Sequence, residues 1–181
     1  MLLDARRSLL LVVDVQERLL PAIHEGAAVE AACRWLVGLA GELAVPVLAS
    51  EQYPKGLGRT VASLRASIPA EAFMEKVHFS CAAAPQCAPR IEASGRDQVV
   101  IAGIEAHVCV LQTALGLLGQ GREVYVVADA VGSRAVQNRD LGLARMRQEG
   151  VRVVSREMVA FEWLREAGTE RFRRISREYL R

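Results

Sequence analysis

The chain has 181 residues, is 51% hydrophobic and 24% charged, and carries a net charge of +2. Those values suit a single domain, 1–181, with a sizeable core, and are too apolar for disorder. With no 5–8-residue basic run and no apolar run near the ~18 residues of a membrane span, neither a general nucleic-acid binder nor a membrane protein is expected.

Ser8–Asp14 (SLLLVVD) reads as a buried strand. Ala27–Leu43 follows as a helix, with Leu36, Leu39, Ala40 and Leu43 at helical spacing. Val45–Ser50 reads as a second strand and Ala72–Val77 as a weaker third. Asp97–Gly103 (DQVVIAG) is a fourth, followed at once by a helix through Cys109–Leu118. Glu123–Ala128 is a fifth, Asp140–Glu149 belongs to the helix after it, and Val151–Val154 is a sixth. The tail, Glu157–Arg181, reads as helical, and its Arg-rich end has the pattern of an amphipathic docking helix. Strands apolar on both faces and separated by helices imply a parallel sheet covered on both sides. The expected fold is α/β: a three-layer α/β/α sandwich around a six-stranded, mainly parallel sheet of Rossmann-type topology. In such sheets ligands bind outside the carboxyl ends of the strands.

Three reactive residues fall there. Asp14 closes the first strand, Lys76 ends the third, and Cys109 opens the helix after the fourth. Each alone fits an ordinary role: a turn acid, a surface amine, a core thiol. Together they make a nucleophilic site. A helix N-terminus and a nearby cation are expected to lower the Cys109 thiol pKa, and Asp14 to take its proton. The amine is notable because the chain has 21 Arg and two Lys, Lys55 and Lys76. A compact ammonium suits a shared-proton site better than a wide guanidinium.

Other residues carry weaker claims. Gln16 shares the strand-end face with Asp14, as a residue that orients that acid, a substrate contact or a structural amide. His107 is two residues from Cys109 but need not point at it. Cys81 and Cys87 flank a loop and read as ordinary thiols. Four Cys without CxxC spacing or a secretory signal suggest reduced thiols and a cytoplasmic setting. No phosphate-binding glycine loop follows the first strand, so no nucleotide cofactor is expected.

The segments Val12-Val13-Asp14-Val15-Gln16, Glu75-Lys76-Val77-His78-Phe79-Ser80 and Gly103-Ile104-Glu105-Ala106-His107-Val108-Cys109-Val110 resemble the isochorismatase-like cysteine hydrolase superfamily. The resemblance runs nearly end to end. Glu51-Gln52-Tyr53-Pro54-Lys55-Gly56-Leu57-Gly58, Ala128-Asp129-Ala130 and Ser133-Arg134 look closest to its isochorismatase-domain-containing branch. The resemblance implies a catalytic triad of Asp14, Lys76 and Cys109. It also implies a cis peptide between Ile104 and Glu105, and an oxyanion hole from the backbone N–H groups of Glu105 and Cys109. The nicotinamidase branch carries an Asp-x-His…His metal site where this chain reads Glu51-Gln52-Tyr53, so no catalytic metal is expected. Gln16, Glu51 and Tyr53 are expected to line the substrate pocket.

The expected function is a cysteine hydrolase that cleaves a C–N amide-type bond in a small molecule through a Cys acyl-enzyme. Two alternatives stand beside it: a non-hydrolytic binding or assembly protein on the same fold, and an isochorismate-like vinyl-ether hydrolase. A homo-oligomer, dimer or tetramer, is expected from the apolar C-terminal helices and from the resemblance.

Overall fold

The computed structural model describes residues 1–180. Alternation along the strands decides how the layers form. β1 (Ser8–Val13) is buried throughout. Its Leu10 and Val12 enter one apolar layer, while Leu9, Leu11 and Val13 enter the other. β2 (Val47–Gln52), β3 (Phe73–Lys76), β4 (Gln98–Ile104), β5 (Glu123–Gly132) and β6 (Arg152–Val154) complete the sheet. All six strands are parallel, in the order β3-β2-β1-β4-β5-β6.

Eight α-helices are described: α1 (Gly26–Glu42), the short α2 (Pro54–Leu57) and α3 (Ala62–Arg65), α4 (Ala88–Ala93), α5 (Leu111–Gly119), α6 (Val136–Gln148), α7 (Arg156–Leu164) and α8 (Glu170–Tyr179). One sheet face is covered by α1, α7 and α8, through Leu36, Leu39, Val159, Trp163 and Ile175. The other is covered by α4, α5 and α6, through Ile91, Ala114, Leu117 and Met146. Burying each large aliphatic side chain stabilises the fold by about 1.5–3 kcal/mol. The Arg-rich end of the chain docks as read: Ile175 is buried, and Trp35 Nε1 donates to the Tyr179 carbonyl at 3.0 Å. Among the described residues no helix is long and apolar enough to cross a membrane.

The strand order reverses between β1 and β4, so their carboxyl ends flank the crevice where such sheets bind ligands. Gly103 pairs with Val13 across that junction with φ +116, and a Cβ there would lie 2.1 Å from the Val13 carbonyl oxygen. Glycine is therefore what lets β4 lie against β1 one residue before Asp14.

Three boundaries differ from the sequence reading. The helix expected through Cys109–Leu118 begins instead as a π-helical turn, Ala106–Val110, and continues as α5. There the Val110 N–H reaches back five residues to the Glu105 carbonyl, at 3.2 Å. β5 runs past Ala128 to Gly132, through a register shift opposite Ile101–Gly103 that period-two patterning does not show. The expected helical tail divides into α7 and α8, because Arg165 (φ 68) and Gly168 (φ 84) leave helical geometry. Thr169 then caps α8 by accepting the Phe172 N–H at 3.0 Å. Arg181, the last residue of that expectation, lies outside the described residues.

Candidate active site

Asp14 follows β1 in a left-handed backbone conformation (φ 52) and is fully buried. Its N–H donates to the Ser50 carbonyl at 3.1 Å, which ties it to β2. One carboxylate oxygen, Oδ1, accepts the Ser50 hydroxyl at 2.7 Å. The other, Oδ2, accepts Lys76 Nζ at 2.7 Å. Lys76 lies at the end of β3, opposite Gln52 in the β2–β3 register, and donates a second bond to Gln52 Oε1 at 2.7 Å. The Asp14 and Lys76 side chains have no solvent exposure. Burial opposes the Lys76 charge, but the Asp14 carboxylate outweighs it, holding the ammonium above its ordinary value.

Cys109 sits in the π-helical turn, and the Asp14 and Lys76 charges both act on its sulfur. It is 7% exposed, whereas Cys33, Cys81 and Cys87 are at 0%. Among the four cysteines it is the least buried as a residue. The expectation of a lowered thiol pKa is corrected here. Burial pushes the Cys109 thiol up, and Asp14 adds to this, while Lys76 only partly opposes it. The resting group is thus a neutral thiol rather than a standing thiolate.

The Ile104–Glu105 peptide is cis. The Glu105 carbonyl accepts the N–H groups of Val108 (3.0 Å) and Val110 (3.2 Å), which shapes the turn around Cys109. The Glu105 carboxylate accepts the Arg134 N–H at 3.1 Å and its Nε at 3.0 Å, so β5's exit is pinned to the turn. His107 Nδ1 bonds to the Ser133 hydroxyl at 2.9 Å. That engagement gives His107 a structural partner on β5's far end rather than on the thiol.

Gln16 and Glu51 are placed differently from the sequence expectation of pocket-lining residues. The Gln16 amide is fully used: Nε2 donates to the Gln52 and Gly58 carbonyls at 3.0 and 2.7 Å, and Oε1 accepts the Gln52 N–H at 2.7 Å. Glu51 is buried and accepts Arg59 (2.9 Å), Arg65 (2.8 Å) and the Thr60 N–H (2.7 Å). Both side chains fasten the Tyr53–Thr60 segment to the sheet. Tyr53 does face open space. It lines a groove of about 290 Å³ together with Lys55, Glu75, Lys76, Val77 and Gln86. Its N–H donates to the Lys76 carbonyl at 2.8 Å, and its ring lies so close to Gly56 that a Cβ there would be 2.3 Å from it. Lys55 is thereby placed at the groove wall.

Burial works against the Glu51 charge, yet Thr60, Arg59 and Arg65 hold its carboxyl below the ordinary value of 4.5. A depressed folded-state pKa contributes stability above the unfolded value, which is lost as pH falls through the folded one. Glu51→Gln is therefore expected to cost about 2 kcal/mol at pH 7, the half-exposed arginines being partly screened. Urea midpoints of the two proteins should differ at pH 7 and converge only as the pH falls through the depressed folded-state value of the Glu51 carboxyl.

Ser50 and Gln52 were not among the sequence candidates, and Cys81 was read there as an ordinary thiol. Ser50 and Gln52 alternate at the carboxyl end of β2, so the same strand-end rule that found Asp14 points to them. Cys81 lies against the site through a loop whose path has no period to read; its N–H is held by Thr113 Oγ1 at 2.9 Å. Among the described residues no group of three or more His, Cys, Asp or Glu is placed to hold a metal ion.

Residues 8–158 match the isochorismatase domain family. Isochorismatase domain-containing protein 1 of Danio rerio is 37% identical over 174 residues, which cover 96% of this chain and 61% of that protein. The chain thus spans about three fifths of that relative's length. Among solved structures, the MAR1 ribonuclease of Caenorhabditis elegans aligns with a TM-score of 0.92 and 31% identity, covering 100% of this chain and 93% of the other. YcaC of Escherichia coli, described as an octameric hydrolase of unknown specificity, aligns with a TM-score of 0.87 and 27% identity, covering 92% and 83%.

Proposed function

The chain belongs to the isochorismatase family of hydrolases, and from that premise we propose that it cleaves a C–N amide-type bond in a small molecule through a Cys109 acyl-enzyme. The observation that carries this reading is the buried Asp14–Lys76 ion pair at the carboxyl end of β1, with Cys109 in the turn that follows β4 across the β1/β4 switch.

The neutral resting thiol fits a mechanism in which deprotonation accompanies attack. Asp14 takes the thiol proton as Sγ bonds to the amide carbon. The carbonyl oxygen gains the negative charge, and the backbone N–H groups of Glu105 and Cys109 are the donors assigned to it. Asp14 then gives the proton to the departing nitrogen, the C–N bond breaks, and a thioester remains. Water adds to the thioester as Asp14 takes its proton. Collapse releases the carboxylic acid and returns the proton to Sγ. Lys76 stays an ammonium throughout and keeps Asp14 from facing the sulfur as an uncompensated charge. The exposed position of Tyr53 on the groove that Lys76 borders supports it as a substrate contact.

A homo-oligomer belongs to the same reading. It is supported by the octameric relative and by the exposed Tyr53, Val77 and Phe79 near the groove. The four free cysteines support a reducing, cytoplasmic setting.

The test is ammonia release from a panel of small carboxamides. Wild-type protein should turn over at least one, and Cys109→Ala should release no ammonia above buffer. Release that survives Cys109→Ala removes the acyl-enzyme. A silent wild-type protein across the panel leaves a binding role on this fold.

A further inference from the structure

We propose that Ser50 is a positioning residue that aims the Asp14 carboxylate at the Cys109 thiol; this deepens, and rests on, the role given above to Asp14. The backbone does not aim that side chain by itself. Asp14 has left the strand conformation, with φ 52, so the alternation that directs Leu10 or Val12 no longer applies to it. Its direction is set by what holds its two oxygens. Lys76 holds Oδ2 at 2.7 Å, and Ser50 Oγ holds Oδ1 at the same distance. Ser50 also receives the Asp14 N–H on its carbonyl, at 3.1 Å. One residue thus grips both the backbone and the side chain of Asp14.

Ser50 suits that task. It is 1% exposed and pairs with Val13 in the β1–β2 register, so its own position is fixed by the sheet. A hydroxyl has one hydrogen to give. That hydrogen goes to the buried Asp14 carboxylate, a strong acceptor. Oδ1 is thereby engaged with a group that neither carries charge nor leaves. Lys76 alone, on the opposite oxygen, would leave the carboxylate free to rotate about that one contact. The Asp14 charge acts on the sulfur, so a turned carboxylate changes what the thiol experiences.

The test is a double-mutant cycle read on Cys109 labelling by iodoacetamide, resolved from the other cysteines by peptide mass spectrometry. This probe needs no substrate, so it reports on Ser50 even where the amide hydrolysis proposed above fails. Ser50→Ala is expected to change the labelling rate by about threefold or more when Asp14 is present, and by less than about 1.5-fold in Asp14→Asn. Ser50→Thr, which keeps the hydroxyl, should return the rate to within about 1.5-fold of wild type. If Asp14→Asn alone does not fold, Asp14→Asn/Lys76→Met serves as the background, since it leaves no unpaired buried charge. The same factor in both backgrounds, or no change in either, would overturn the assignment and leave Ser50 a packing residue only.

Discussion

Asp14→Asn should lower carboxamide turnover by about 10³-fold while iodoacetamide still labels Cys109 at pH 8 at least as fast as in the wild-type protein. The two effects have opposite causes. Turnover needs Asp14 twice, to accept the thiol proton and to return it to the leaving nitrogen, and an amide does neither. Labelling needs only thiolate. Burial and the Asp14 charge both hold the Cys109 thiol up, and Lys76 pulls it down. Removing the carboxylate deletes one of the two opposing influences and keeps the favourable one. The labelling midpoint therefore moves to lower pH, not higher. Lys76 loses its buried counter-ion in this variant and keeps Gln52 Oε1, so some loss of stability accompanies the change, about 3–5 kcal/mol in comparable pairs. Circular dichroism at the labelling temperature checks that the protein remains folded. If labelling fell in step with turnover, Asp14 would be needed for the thiol itself rather than for moving its proton.

Lys76→Arg keeps the charge and should still lower turnover by about 10²-fold or more. The ammonium is enclosed, with one hydrogen bond to Asp14 Oδ2 and one to Gln52 Oε1, both at 2.7 Å, and its side chain has no exposure. A guanidinium is planar and larger, so it must push these partners apart or turn away. Overpacking of that kind costs about 1–3 kcal/mol, visible as a fall of several degrees in Tm. The displacement also moves the Asp14 carboxylate relative to the sulfur, where errors near 1 Å are expensive. Turnover close to wild type in Lys76→Arg would show that any nearby cation suffices. The scarcity of lysine in the chain would then carry no mechanistic meaning.

The sheet was legible because its strands are short, apolar runs between amphipathic stretches, and all six appear within a few residues of their expected positions. Asp14, Lys76 and Cys109 were legible as three strand-end residues, since the chain order already places those ends on one edge. What the pattern did not carry was direction. Gln16 and Glu51 sit at the right strand ends, yet their polar atoms are spent on Gly58, Arg59, Arg65 and Thr60. Only the fold of the Tyr53–Thr60 segment decides that. The sign of the Cys109 pKa also escaped the sequence. A helix start and a lysine argue for a lowered value, and only burial beside Asp14 shows why they lose. Ser50 went unnoticed as the last residue of the strand read as Val45–Ser50, although its register opposite Val13 puts it next to Asp14.

The central claim is a covalent bond between substrate and Cys109. It is tested most directly by acid-quenching the protein during turnover of an active carboxamide and mapping the adduct by peptide mass spectrometry. The account predicts an acyl mass on the peptide containing Cys109, absent from Cys109→Ala and lost when the substrate is exhausted. Sustained turnover with no acyl mass on that peptide, or with the acyl group on Cys81, would contradict it.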